Sequence, residues 1–256
     1  MSVIDKFRLD GQVAIITGAG KGIGAGIARA FAEAGANVAI GARTVADLEK
    51  VAADVRSLGR EALVVPTDVL DSGQLEHLAN RALEHFGRID ILVNNAGGFP
   101  PKPVANTSAR EFEAAFRFNV TTAYELSRLC APLMVDTAGS GTILNISSIA
   151  GHKPAPCFAA YGTAKGALSL LTRELAQEFA PRVRVNAIAV GSTRTDALNT
   201  VLTEDIERTM VELTPMGRLG EVEDIALGAL YLCSPAASYV TGDILGVNGG
   251  MERLNM

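Results

Sequence analysis

Short runs of apolar residues recur along the chain, and in most of them the apolar positions do not alternate with polar ones. Such runs are typical of parallel strands that are buried on both faces of a sheet. Between the runs, apolar positions follow the spacing of amphipathic helices. The predicted strands cover residues 13–17, 37–41, 62–66, 89–94, 142–147, 183–190 and 244–248, and the predicted helices cover residues 22–34, 45–58, 72–86, 109–135, 157–179 and 221–233.

The alternation of strands and helices predicts an α/β fold with one doubly wound parallel sheet of about seven strands, flanked by helices. No linker rich in Pro, Gly or Ser interrupts the alternation, so we expect residues 1–256 to form a single domain. Residues 192–218 are too long for a plain connection, and we expect a small helical insertion there, over the ligand crevice. The candidate helix-capping pairs are Thr44 with Asp47 and Ser108 with Glu111.

Composition and charge narrow the class of protein. With 48% hydrophobic and 20% charged residues, the chain can bury a large core. Its net charge of −5 argues against nucleic acid as a partner, because phosphate binding needs a basic face. No apolar run approaches the ~18 residues of a membrane span, and the N-terminus lacks an apolar signal core. The cysteines Cys130, Cys157 and Cys233 form no Cys-x-x-Cys pair, so we expect a cytoplasmic protein with reduced thiols and no metal site.

A glycine-rich turn follows the first predicted strand and leads directly into a helix. It contains Gly18, Gly20, Gly22 and Gly24. Glycines allow a tight turn whose backbone N–H groups approach a pyrophosphate at the positive end of the helix. A turn of this kind in this position predicts dinucleotide binding. Lys21 is followed by glycine rather than by Ser or Thr, which excludes a Walker-type phosphate loop.

The end of the second predicted strand bears on the choice of cofactor. An acidic residue there binds the ribose hydroxyls of NAD, whereas a basic residue suits the 2′-phosphate of NADP. This chain has Ala42 and Arg43, and Lys21 adds a second positive charge. The sequence therefore favours NADP(H), with NAD(H) as the alternative.

Two further strands end in polar residues. Asp68 follows the third predicted strand, and Asn94 ends the fourth. Sheets of this kind bind ligands at the carboxyl ends of their strands, although asparagine also forms turns.

Tyr161 and Lys165 are spaced four residues apart in a predicted helix. This spacing brings two side chains onto one face, with their Cβ atoms about 6 Å apart. A nearby ammonium favours the phenolate and lowers the pKa of a tyrosine below its ordinary ~10. Such a tyrosine can exchange a proton with an alcohol or a ketone. The alternative is a solvent-facing helix on which the two residues meet by chance.

Taken together, these motifs resemble those of the short-chain dehydrogenases/reductases. The glycine turn, the run from Asn94 to Gly97, Ser148, and the Tyr161–Lys165 pair occur in that family's order and spacing. The resemblance extends from about residue 9 to residue 250. Residues 97–103, 195–198 and 232–238 resemble bacterial 7α-hydroxysteroid dehydrogenases more particularly, and bacterial 3-oxoacyl carrier-protein reductases are a close second.

The resemblance implies a Rossmann-type dinucleotide-binding oxidoreductase domain and assigns roles to particular residues. It implies that Ser148, rather than Ser147, belongs to the catalytic set. It also implies that Lys165 lowers the Tyr161 pKa and that Asn119 bends its helix and holds a water. The implied catalytic residues are Asn119, Ser148, Tyr161 and Lys165, and the implied cofactor contacts are Gly18, Gly20, Lys21, Gly22, Ile23, Gly24, Arg43, Asp68, Val69, Asn94, Ala96, Gly97, Tyr161, Lys165, Gly191 and Thr193.

The implied activity is hydride transfer between a nicotinamide cofactor and a secondary alcohol or ketone, with a hydroxysteroid or another apolar substrate, by a homotetramer. One alternative is a 3-oxoacyl thioester reductase, for which Lys102, Lys153, Arg194 and Arg208 offer basic residues near the entrance. Another is a non-catalytic NAD(P)-sensing protein. The chain departs from the family where NAD-using hydroxysteroid enzymes carry an aspartate in place of Ala42.

Overall fold

A computed structural model describes residues 2–200 and 202–253. The predicted apolar runs form seven strands that pair in parallel throughout. They are β1 (Val13–Thr17), β2 (Asn37–Ala42), β3 (Ala62–Pro66), β4 (Ile91–Asn94), β5 (Gly141–Ser148), β6 (Val183–Val190) and β7 (Ile244–Val247). Their spatial order is β3-β2-β1-β4-β5-β6-β7, which confirms the predicted doubly wound sheet.

The helices fall between the strands as the apolar spacing predicts. They are α1 (Gly22–Glu33), α2 (Val45–Ser57), α3 (Ser72–Phe86), α4 (Ala109–Phe116), α5 (Thr122–Ala138), α6 (Ala159–Phe179), α7 (Asp196–Asn199), α8 (Glu204–Glu212) and α9 (Val222–Cys233). The predicted insertion thus contains two short helices, α7 and α8, and its residue Val201 lies outside the described part of the chain. None of the helices in residues 2–200 and 202–253 is long and apolar enough to cross a membrane.

The core consists of two layers, one on each face of the sheet. Phe31 of α1, Val51 of α2 and Leu232 of α9 belong to the cluster on one face. Leu78 of α3 and Met134 of α5 belong to the other. All five residues of β1 are buried, because helices cover the sheet on both sides. This burial on both faces explains why the strands appear in the sequence as unbroken apolar runs.

The long helix predicted for residues 109–135 is interrupted. Residues Arg117–Thr121 form a π-helical turn that separates α4 from α5. Asn119 lies in this turn, and its Nδ2 donates to the Ala115 carbonyl at 2.9 Å. A side-chain donor on a main-chain acceptor disturbs the regular hydrogen-bond ladder, which is a recognised cause of local helix distortion.

One of the two predicted caps forms. The Ser108 hydroxyl accepts from the Glu111 amide, and the Glu111 side chain accepts from the Ser108 amide, which completes a capping box at α4. The Thr44 side chain makes no such hydrogen bond at α2. Asp47 therefore forms no capping box with Thr44, and its carboxylate pairs with Lys21 instead.

The topology places a crevice beside β1. This strand pairs with β2 on one side and with β4 on the other, so the connections leave in opposite directions. Ligands bind at the carboxyl ends of the strands at such a switch point.

Candidate active site

The glycine turn is held against the end of β4 by one side chain. Asn95 Nδ2 donates to the carbonyls of Thr17 at 2.9 Å and Gly18 at 3.1 Å. A Cβ built on Gly18 would lie 2.9 Å from that Nδ2 atom, and one built on Gly24 would lie 2.5 Å from it. Gly18 also has a φ of +63°, a backbone conformation that residues other than glycine rarely adopt. Glycine is therefore required at both positions, because Asn95 packs where their side chains would begin, and of the two only Gly18 lines a cleft.

Two connected clefts follow the carboxyl edge of the sheet. The first, here called the glycine-turn cleft, has a volume of about 380 Å³, and the second, the tyrosine cleft, has a volume of about 540 Å³. Lys21, Asn95 and Gly97 line both clefts and join them. Of the predicted residues, the glycine-turn cleft also contains Gly18, Gly20, Arg43, Asp68, Val69 and Ala96, and the tyrosine cleft also contains Gly22, Ile23, Ser148, Tyr161, Lys165 and Gly191.

Asn94 differs from its expected placement, since it lines neither cleft. Its Nδ2 donates to Asn145 Oδ1 at 2.9 Å and to Ser127 Oγ at 3.1 Å in the buried interior. Asn95 instead lines both clefts, and it was absent from the predicted contacts. Asn94 is the last residue of β4 and is held in the interior, whereas Asn95 follows the strand and contacts the glycine turn.

Thr193 is also set back from the tyrosine cleft. It is buried and lines a neighbouring cavity of about 250 Å³ that Gly191 borders as well. Its Oγ1 donates to the Gly191 carbonyl at 3.2 Å. A Cβ on Gly191 would lie 2.6 Å from Asn248 Cα, so the close approach of these two backbones requires glycine there.

Ser148 and Ser147 have separate tasks at the end of β5. Ser147 Oγ donates to the Lys165 carbonyl at 3.1 Å and lies 2.9 Å from Ser169 Oγ, inside the protein. Ser148 Oγ accepts from the Ala150 amide at 3.1 Å and lines the tyrosine cleft. Ser148 is thus the hydroxyl of the two that faces a molecule in the cleft.

Tyr161 and Lys165 lie on one face of α6, as the spacing predicts. Lys165 Nζ lies 5.7 Å from the centre of the Tyr161 ring. It donates to the Ile146 carbonyl at 2.7 Å and is buried. Burial lowers the pKa of Lys165 to about 7, because desolvation disfavours the ammonium.

The Tyr161 pKa shifts opposite to the expected direction in this structure. Burial raises it, and the Ser148 hydroxyl opposes that shift less strongly. The expected lowering by Lys165 assumed a fully charged ammonium close to the phenol oxygen. Here the ammonium is itself desolvated and is directed at the Ile146 carbonyl.

Asn119 anchors the loop that follows β4. Its Oδ1 accepts from the Gly98 amide at 2.8 Å, and its Nδ2 donates to the Gly98 carbonyl at 3.0 Å. A Cβ on Gly97 would lie 2.7 Å from Asn119 Oδ1 and 3.0 Å from Lys165 Nζ. Asn119 and Lys165 therefore fill the space that a side chain at Gly97 would occupy, and glycine is required there.

Known proteins resemble this chain along nearly its whole length. A family model described as enoyl-(acyl carrier protein) reductase matches residues 18–252. An uncharacterised oxidoreductase of Mycobacterium tuberculosis (strain CDC 1551 / Oshkosh) is 48% identical over 255 residues, which cover 99% of this chain and 97% of that protein. The 7α-hydroxysteroid dehydrogenase of Escherichia coli (strain K12) is 44% identical over 253 residues, which cover 98% of each. The chain belongs to the short-chain dehydrogenase/reductase family.

A solved structure of the family extends the likeness to three dimensions. A 7α-hydroxysteroid dehydrogenase complexed with NADH and 7-oxo glycochenodeoxycholic acid superposes with a TM-score of 0.95 at 43% identity, over 100% of both chains. As a short-chain dehydrogenase/reductase, the protein is an oxidoreductase that acts on an alcohol or a ketone with a nicotinamide cofactor.

Of the four basic residues expected near the entrance, all except Lys153 are paired with carboxylates in the described part of the chain. Lys102 Nζ lies 2.6 Å from Glu111 Oε1. Arg194 forms ion pairs with Glu207 at 2.5 Å and with Glu221 at 3.5 Å. The same is true of Arg208, which pairs with Asp205.

The His152 side chain contacts α6. Its Nε2 lies 3.1 Å from Ser169 Oγ, and burial and two nearby cations, Arg173 and Lys153, lower its pKa. Across residues 2–200 and 202–253, no group of three or more His, Cys, Asp or Glu residues is arranged to hold a metal ion.

Proposed function

We propose that this protein is an NADP(H)-preferring hydroxysteroid-type dehydrogenase, which interconverts a secondary alcohol and a ketone on an apolar substrate. The observation that carries the proposal is the meeting of Ser148, Tyr161 and Lys165 at one cleft that continues into the glycine-turn cleft. The names of the 7α-hydroxysteroid dehydrogenase relatives support the substrate class.

The residues of the two clefts fit a nicotinamide dinucleotide. The turn at Gly18 and Gly24 excludes side chains, so its amides can approach a pyrophosphate at the N-terminus of α1. Asp68 and Val69 are available to the adenine, Ala96 and Gly97 to the ribose region, and Gly191 to the nicotinamide side. When bound, the cofactor supplies or accepts the hydride.

The chain's own residues handle the proton and the oxygen of the substrate. In reduction, Tyr161 Oη donates its proton to the carbonyl oxygen, and in oxidation it takes the proton back. Ser148 Oγ donates a hydrogen bond to the same oxygen and stabilises the charge that develops there. Lys165 Nζ, which lines the same cleft, would hold the nicotinamide ribose.

Asn119 contributes through the backbone that it holds. Both protons of its Nδ2 are donated, to Ala115 and to Gly98. A water that links Lys165 to solvent would therefore bond to Asn119 through the remaining lone pair of Oδ1. The main role of Asn119 is therefore to hold the π-helical turn and the loop at Gly98 in place.

The preference for NADP(H) rests on Arg43. It lines the glycine-turn cleft, is exposed, and has no ion-pair partner within the described residues. Ala42 offers no carboxylate to the ribose hydroxyls, which removes the feature that selects NAD. Lys21 contributes less than expected, because Asp47 already neutralises it at 3.1 Å.

The second candidate is a reductase of 3-oxoacyl thioesters, which the description of the matching family model favours. A carrier protein is acidic and would need unpaired cations around the entrance. Lys102, Arg194 and Arg208 have carboxylate partners instead. This pairing favours the apolar small-molecule substrate.

The proposal extends to the organisation of the protein. Residues 1–256 form one dinucleotide-binding oxidoreductase domain, and its insertion at 192–218 covers the substrate, since Thr195, Asp196 and Thr200 line the tyrosine cleft. The protein assembles as a homotetramer, for which exposed apolar side chains such as Leu170 and Leu227 offer contact surface. The free cysteines agree with the reducing cytoplasm.

One parallel experiment tests these choices. Oxidation of NADPH and of NADH is measured with oxo-steroids, acetoacetyl thioesters and small diketones, using wild type and Tyr161→Phe. We expect an oxo-steroid with NADPH to be the best pair and Tyr161→Phe to be inactive. A preference for acetoacetyl thioesters would favour the second candidate. If NADPH binds and no ketone in the panel is reduced, the proposed substrate class is wrong.

A further inference from the structure

The glycine-turn cleft contains a carboxylate beside its cations. Lys21 Nζ lies 3.1 Å from Asp47 Oδ2, and Lys50 Nζ lies 3.9 Å from the other oxygen. The Asp47 side chain is only 15% exposed, whereas that of Lys21 is 62% exposed. The carboxylate is therefore the fixed member of the pair, and the lysine is the member that can move.

The local fold explains why Asp47 faces the cleft. It lies in the first turn of α2, where the helix dipole favours an acid. The Thr44 side chain makes no capping hydrogen bond, so the carboxylate of Asp47 is not drawn into a capping box. A Cβ on Gly20 would lie 3.2 Å from Asp47 Cβ, which places the acid directly against the glycine turn.

We infer that Asp47 is a specificity residue that limits the preference for the 2′-phosphorylated cofactor. The inference rests on the proposed NADP(H) function and concerns the same cleft. A 2′-phosphate bound near Arg43 is repelled by the Asp47 carboxylate and must compete with it for Lys21. NADH has hydroxyls at that position, so the ion pair leaves its binding nearly unchanged.

The choice between NADPH and NADH then depends on the Asp47 carboxylate as well as on the cations Arg43 and Lys21. Arg43 has no ion-pair partner within the described residues and can attract the phosphate with its whole charge, whereas the charge of Lys21 is partly neutralised by Asp47. Removing the carboxylate alone should release Lys21 to the phosphate. A partly exposed ion pair corresponds to about a two- to fivefold change in a binding constant, which sets the size of the expected effect.

The test uses binding of the reduced cofactors to the full chain, without substrate. Dissociation constants for NADPH and NADH are measured by nicotinamide fluorescence for wild type, Asp47→Asn, Lys21→Met and the double variant. Asp47→Asn should tighten NADPH about two- to fivefold and leave NADH within about 1.5-fold. Lys21→Met should weaken NADPH more in the Asp47→Asn background than in wild type.

Asp54→Asn is the matched control. Asp54 lies on the same helix and pairs with Arg29 at 2.8 Å, but it does not line the cleft. Its replacement removes the same charge and should leave the NADPH-to-NADH ratio unchanged. Thermal unfolding of each variant reports whether the fold is kept.

The outcomes separate this inference from the cofactor proposal. If wild type binds NADH more tightly than NADPH, the proposed preference is wrong, yet the ratio still reports on Asp47. A ratio that Asp47→Asn leaves unchanged, or shifts toward NADH, overturns the role of Asp47. An equal shift for both cofactors also overturns it, because the effect would then come from the helix terminus and not from the phosphate.

Discussion

Replacement of Lys165 by methionine tests whether this lysine is a desolvated charge in the folded protein. Lys165 is 4% exposed, and burial lowers its pKa to about 7. A lysine in the unfolded chain keeps a pKa of about 10.4. Between these two values the unfolded chain binds a proton that the folded protein does not bind. Because the folded-state pKa is the lower one, the free energy of unfolding rises as the pH increases through this window.

The two pKa values give the size of the effect. Integrated from pH 6 to pH 9, they correspond to a gain of about 2 to 3 kcal/mol in the free energy of unfolding from Lys165 alone. Methionine has a similar length and does not titrate, so Lys165→Met lacks this contribution. The stability of the variant relative to wild type should therefore fall by about 2 to 3 kcal/mol between pH 6 and pH 9.

Urea unfolding followed by far-UV circular dichroism measures this difference. Wild type and Lys165→Met are compared without cofactor at pH 6, 7.5 and 9, so the titration of all other groups cancels. Lys6→Met is the control, because that lysine is exposed on the surface and its replacement should leave the pH dependence unchanged.

A stability difference that stays constant from pH 6 to pH 9 would refute the reasoning. It would mean that Lys165 remains charged and solvated in the folded protein. The explanation for the raised Tyr161 pKa, which relies on an ammonium weakened by burial, would then fail as well.

Three further predictions concern the proposed catalytic residues and their support. Tyr161→Phe should abolish turnover, because the proton donor is gone, and keep the NADPH dissociation constant within about twofold; residual ketone reduction near the wild-type rate would contradict its role. Ser148→Ala should lower kcat by about 100-fold, whereas Ser147→Ala should mainly lower the melting temperature, since its hydroxyl is buried in hydrogen bonds. Gly97→Ala should cost about 1 to 3 kcal/mol in urea unfolding, because its Cβ would meet Asn119 Oδ1 at 2.7 Å; an unchanged midpoint would argue against the tight contact.

The sequence by itself was sufficient for the architecture. Strands buried on both faces appear as apolar runs, so the sheet and most helices could be predicted. The glycine turn was equally legible, because its spacing and its place after β1 are local properties. The interruption at Asn119 could not be predicted from apolar spacing, because it accompanies a hydrogen bond from the Asn119 side chain to the Ala115 carbonyl.

The tertiary structure decided which polar atoms are free. Asn94 and Asn95 are adjacent residues of the same type, yet Asn94 ends β4 and is buried in the core, whereas Asn95 follows the strand and lines the clefts. Whether Lys21 is available to a ligand depends on Asp47, which lies on α2 and forms an ion pair with it. The direction of the Tyr161 pKa depends on burial by many residues. Spacing along a chain determines which side chains share a face, whereas charge, desolvation and hydrogen bonding depend on neighbours that only the folded chain brings together.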